Sequence, residues 1–133
     1  MYKALNITFY QNIAKLFYAI AAADKVVKAT EFGTLKDFVK REWLSVDTTE
    51  DAYKTDAAYQ IEIVFDWLIT QELDANSCFK AFVAYKNEHP YFFTKELNAL
   101  ILKTANGIAT SFSGLNKSEL IMLAKLSMEL KKP

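Results

Sequence analysis

One cysteine, one histidine, three glycines and two prolines are all that this 133-residue chain contains of those types, and each shortage closes off a class of protein. The lone Cys78 cannot form an internal disulfide, so the fold has no covalent staple and suits a reducing compartment. The lone His89 removes zinc sites built on several histidines and the Glu-x-x-His pairs of ferritin-like di-metal bundles. With so little glycine, the chain has no P-loop, no Gly-rich dinucleotide turn and no Gly-x-Ser-x-Gly elbow. An excess of one charge sign is missing too. Sixteen basic residues balance sixteen acidic ones, so the chain lacks the overall basic footprint of a phosphate-backbone binder, and no nucleic-acid partner is expected. The longest apolar stretch, Leu16 to Ala23, is bounded by Lys15 and Asp24, far short of the ~20 residues of a membrane span. No basic region followed by a small-residue cleavage site opens the chain. A soluble, cytoplasmic protein is expected.

Apolar residues are plentiful. At 52% hydrophobic and 14% aromatic, the chain can bury a sizeable core within a single domain over 1–133. Helical periodicity runs through nearly all of it. Segment 6–23 carries Phe9, Ile13, Leu16 and Ile20 on one side and Ile7, Ala14, Phe17 and Ala21 beside them, which predicts a helix buried on most of its surface. A second helix over about 30–44 repeats Phe32, Leu35, Val39 and Trp43. The polar stretch 45–55 reads as a loop. A third helix follows over about 56–72. Asp74 is placed to cap a fourth, which Pro90 ends. Thr94 opens a fifth, and Asn116 with Glu119 forms a near capping box for the last. No segment alternates with period two long enough to argue a sheet. The expectation is an all-α single-domain bundle of about six to seven helices.

Acidic residues at two helix junctions are the feature that suggests a site. Asp24 and Glu31 stand seven positions apart in Ala22-Ala23-Asp24-Lys25-Val26-Val27-Lys28-Ala29-Thr30-Glu31, around one expected helix-to-helix turn. A fainter echo comes late in the chain: Ala105-Asn106-Gly107, then Ser118-Glu119-Leu120. Both read as the end of an apolar helix, an Asx residue, a connection, then a glutamate opening an amphipathic helix. Two such hairpins could pair about a pseudo-two-fold and bring their turns to one end of the bundle.

The pattern Ala-Ala-Asp-x-Val-Val-x-x-x-Glu resembles the signature of the TerB-like (tellurite resistance protein B-like) family, small all-helical proteins linked to stress-response systems. The likeness covers mainly 13–40 and 100–130. It departs from the family at Lys25, where a glycine is usual, and at Asn106, where the second aspartate is usual. The resemblance implies a non-catalytic stress-associated module whose acidic cluster holds a metal ion. Carried over to this sequence, that implies Asp24 and Glu31, with Asn106 and Glu119 contributing further oxygens. An all-oxygen set favours a divalent cation such as calcium or magnesium over zinc.

A plainer reading stands beside it. An acid in a helix's first turn is stabilised by the dipole, by ~0.3–1 kcal/mol, and both glutamates fit capping roles. The protein is then an interaction domain with another protein as partner and no metal site. Glu62 and Asp66, four apart on one helix, offer a third possibility as an acid–base pair or as a solvated stripe. Tyr85, His89, Tyr91, Phe92 and Phe93 gather around Pro90, either plugging the core or leaving a sticky patch.

Overall fold

Helix α1 (Ile7–Ala21) is apolar almost all round, and a helix of that kind must be surrounded. In the computed structural model, which describes residues 5–46, 56–111 and 116–132, α1 is the central rod. It packs against α3 (Gln60–Gln71), α4 (Ala75–Glu88), α5 (Lys95–Thr110) and α6 (Lys117–Lys131), while α2 (Ala29–Arg41) lies on α5 and α3. Phe9, Ile13, Leu16, Phe17 and Ile20 are fully buried along it, each contributing about 1.5–3 kcal/mol of burial free energy. The architecture is all-α, with six α-helices, three short 3-10 turns and no β-strand among the described residues. No described helix is long and apolar enough to cross a membrane.

Local chemistry fixes most of the helix starts. The side chain of Asn6 accepts the Phe9 amide at 2.8 Å, Asp74 the Ser77 amide at 2.9 Å, Thr94 the Leu97 amide at 3.2 Å and Asn116 the Glu119 amide at 2.8 Å. Each removes one amide from the unpaired set at a helix N-terminus. After α2, Trp43 turns inward and its indole N–H donates to Thr104 Oγ1 at 3.0 Å, tying the end of α2 to the middle of α5.

The turn at Pro90 divides its aromatics. Phe92 is buried against Phe9, and Phe93 packs on Phe82 and Phe9. Tyr91 stays half-exposed, its hydroxyl 2.7 Å from His89 Nδ1. Core filling therefore takes two of the three consecutive rings. Cys78 is buried as well, and burial is the main cause that pushes its thiol pKa up, the opposite of what a reactive cysteine needs.

The late turn differs from the sequence expectation. Helix α5 does not end at Asn106; it continues through Asn106 and Gly107 to Thr110. The inward series Ile101, Ala105, Ile108 and Ala109 keeps the helical period across that point, so burial outweighs the turn-forming tendency of Asn-Gly. Gly107 marks a close approach: a Cβ there would collide with the Phe38 ring of α2. The expected loop residues 112–115 lie outside the described residues, as does most of the expected loop 45–55.

Candidate functional site

The two acidic junctions meet. Asp24 sits in the α1–α2 turn, and its Oδ2 accepts the side-chain amide of Asn116, the N-cap of α6, at 2.7 Å. Residues ninety-two positions apart thereby join the two helix pairs. Lys28 Nζ donates to the same Oδ2 at 2.9 Å, and the Val26 amide donates to Oδ1 at 3.1 Å. Burial alone would raise the Asp24 pKa, but the bonds from Lys28 and Val26, the Lys28 charge and the Asn116 amide together bring it below the ordinary value.

Beneath this contact lie Glu31 and Glu119, with 1% and 2% of their surfaces exposed. Each glutamate uses one oxygen as a cap. Glu31 Oε1 accepts the Lys28 amide at 2.7 Å, and Glu119 Oε1 accepts the Asn116 amide at 3.3 Å. The α6 box is reciprocal, because Asn116 Oδ1 accepts the Glu119 amide in return. The α2 box is only half of one, since the Lys28 ammonium has no lone pair to offer.

The two carboxyl groups meet. Glu119 Oε2 is buried with no amide or hydroxyl donor, and the Glu31 carboxyl is its hydrogen-bonding neighbour. Two carboxylates cannot both stay ionised in such a place. Burial first, then the hydrogen bond to Glu119, pushes the Glu31 pKa up to about 8. The protonated form of Glu31 is thereby favoured, and in that form its hydroxyl can donate to the Glu119 carboxylate.

Of the four residues the sequence singled out, the structure brings together Asp24, Glu31 and Glu119. Asn106 is elsewhere: it lies exposed on α5, and its amide donates to Leu102 O at 2.9 Å. The Asx residue that does reach the junction is Asn116, which the sequence marked only as a cap. As a cation site the cluster is thin. Asp24 already takes three donors, and among the described residues no group of three or more His, Cys, Asp or Glu side chains is placed to hold a metal ion.

Beside the junction, the α1–α2 and α3–α4 turns border a cavity of about 670 Å³. Lys25 and Glu72, the non-glycine residues with positive φ among the described residues (72° and 51°), both line it. Lys25 thus takes the left-handed backbone that a glycine would adopt without strain.

A second feature is the outer face of α3. Tyr59, just before the helix, then Ile63 and Trp67 follow one another at four-residue intervals and are exposed, Ile63 at 57% and Trp67 at 54%. Asp66 is exposed among them and Glu62 is half-buried alongside. The helix contains no lysine or arginine. Burial raises the Glu62 pKa, and the Lys36 charge only partly opposes it.

No family model, no curated protein and no solved structure matches this chain.

Proposed function

We propose that the protein is a non-catalytic, cytoplasmic protein-binding module that receives a basic amphipathic helix on the outer face of α3. One observation carries this reading: the Tyr59, Ile63 and Trp67 stripe is apolar and exposed, and the charges its own helix adds are the acids Glu62 and Asp66, with Lys36 of α2 near Glu62. Exposed aromatics in line with one charge sign are what a helix-binding surface presents, the rings supplying burial and the acids orientation. In this reading the acidic junction is a clasp. Its glutamates cap two helices and share a proton, so the helix ends they join stay in fixed relation.

Trp67 supplies the test, because the other tryptophan, Trp43, is fully buried. Titration with a synthetic basic amphipathic peptide should shift Trp67 emission to the blue and saturate. Ile63→Ser should weaken that response at least tenfold, and an acidic peptide of equal hydrophobicity should give none. Equal responses to both peptides, or none to either, would discard the reading.

A second reading rests on a different atom. Glu119 Oε2 is an oxygen of the type hard cations take, faces a second carboxyl and has no conventional donor. Kinship with TerB-like proteins belongs to this reading, as does a link to stress responses. Calcium or magnesium would displace the proton shared by Glu31 and Glu119, and Asp24 would join only by releasing Lys28. Calorimetric titration in two buffers of different ionisation enthalpy tests it: saturable binding with proton release, abolished by Glu119→Gln, is the expected result. Heats that match dilution alone would remove the cation.

A further inference from the structure

Helix α6 presents the counterpart of the α3 face. Leu120, Ile121 and Met128 are exposed on it, at 55%, 48% and 67%. Around them stand Lys117, Lys125 and Lys131, all exposed. The acids of this helix, Glu119 and Glu129, are both buried. The exposed charges that α6 carries are therefore all basic, while those that α3 carries are acidic, with Lys36 of α2 near Glu62. Both helices pack on α1 by their other sides, so each outer face is free to meet another molecule.

We infer that the α3 face of one copy docks on the α6 face of a second copy, giving head-to-tail self-association. This rests on the docking reading of α3 and names the partner. Charge complementarity selects it over like-with-like pairing. A symmetric α3–α3 contact would oppose Asp66 and Glu62 to their own copies, and a symmetric α6–α6 contact would oppose lysines to lysines. The contact is heterologous, so each added copy leaves one acidic and one basic face open. Growth then continues past the dimer unless the rotation closes a ring.

The helices are short, about 18 Å and 22 Å long at 1.5 Å per residue. A helix-on-helix contact of that length sits at the low end of interface sizes, below about 1,200 Å², which makes it weak and concentration-dependent. Salt should loosen it further, since screening is strong beyond ~10 Å at 0.1 M ionic strength.

Sedimentation of the full chain from about 10 μM to 1 mM, at low and at high salt, tests this. Average mass should climb beyond that of a dimer at low salt and fall back at high salt. Ile63→Ser with Trp67→Ser removes the α3 face; Ile121→Ser with Met128→Ser removes the α6 face. All four positions are exposed, so folding is spared. Each double variant alone should be monomeric, and their equimolar mixture should form a dimer and stop there, because one good face remains on each. A wild-type chain that stays monomeric at 1 mM overturns the inference, as does either double variant associating alone or a mixture that fails to pair. If the wild type stays monomeric yet still binds the basic peptide through Trp67, self-assembly falls and the docking reading stands. If the peptide also fails to bind, both fall.

Discussion

Helix α6 buries two glutamates, Glu119 near its start and Glu129 near its end, and the protein gives them opposite kinds of partner. Glu129 meets the buried Lys86 of α4, Nζ to Oε2 at 3.6 Å, and the outer Lys132 at 3.2 Å. Glu119 meets another acid, Glu31, whose carboxyl is pushed toward its protonated, neutral form by burial and by the Glu119 neighbour. A carboxyl holds its proton only up to its pKa. The Glu31–Glu119 site is therefore sensitive to acidity.

The largest expected effect separates the two by pH. Glu31 keeps its proton in the folded state up to about pH 8 and would release it near 4.5 when unfolded. Between those values the native state binds more protons, so stability is greatest at the acid side and falls as pH rises through the window. At about 1.4 kcal/mol per unit, and allowing for the sharing with Glu119, the fall is on the order of 3–5 kcal/mol. Urea unfolding at pH 5 to 8.5 should reveal it, and Glu31→Gln should flatten the profile, since the amide keeps both an acceptor for Lys28 and a donor for Glu119. Parallel profiles for the two proteins would refute the shared proton. The lowered pKa of Asp24 acts oppositely and only in acid, below the ordinary 3.8.

Next in size is Lys86→Met, which strands Glu129 with only the exposed Lys132. Removing one partner of a buried pair leaves an uncompensated charge, and a loss of about 3 kcal/mol is expected by the same unfolding assay. Adding Glu129→Leu should recover most of it; no recovery would mean that the cost lay in packing and not in charge.

Asn116→Ala loses the α6 cap and the bridge to Asp24 together, for about 1–2 kcal/mol. The companion substitution Asp24→Ala should cost less in that background than in the wild type, because the two share one contact, although it also removes the bonds from Lys28 and the Val26 amide. Full additivity in that cycle would show the junction to be two separate caps.

The smallest effect has the opposite sign. Lys25→Gly relieves the left-handed backbone of the first turn and should stabilise by at most about 1 kcal/mol, raising the melting temperature by a few degrees. A fall would mean that the Lys25 side chain contributes more than the strain costs.

How much of this was legible before the structure follows from which forces are local. Asp74, Thr94 and Asn116 cap within three residues of themselves, so three of the helix starts could be read directly from sequence. The apolar wrap of residues 7–21 placed α1 at the centre. Asn106 misled because Asn-Gly favours a turn locally, whereas the Phe38 ring that fills the space beside Gly107 belongs to another helix. Asn116 was visible as a cap, but its second bond reaches ninety-two positions back, and no spacing announces such a pairing. The charge-segregated faces of α3 and α6 were in the letters too. Which of their sides would remain outside was not.

The sequence by itself determined the helices, their caps and the apolar surface that drives them together, because those depend on neighbours within a turn or two. Only the tertiary structure decided that Glu31 and Glu119 would share a closed space. Their protonation follows from mutual distance and from exclusion of water, and neither property belongs to any single stretch of chain.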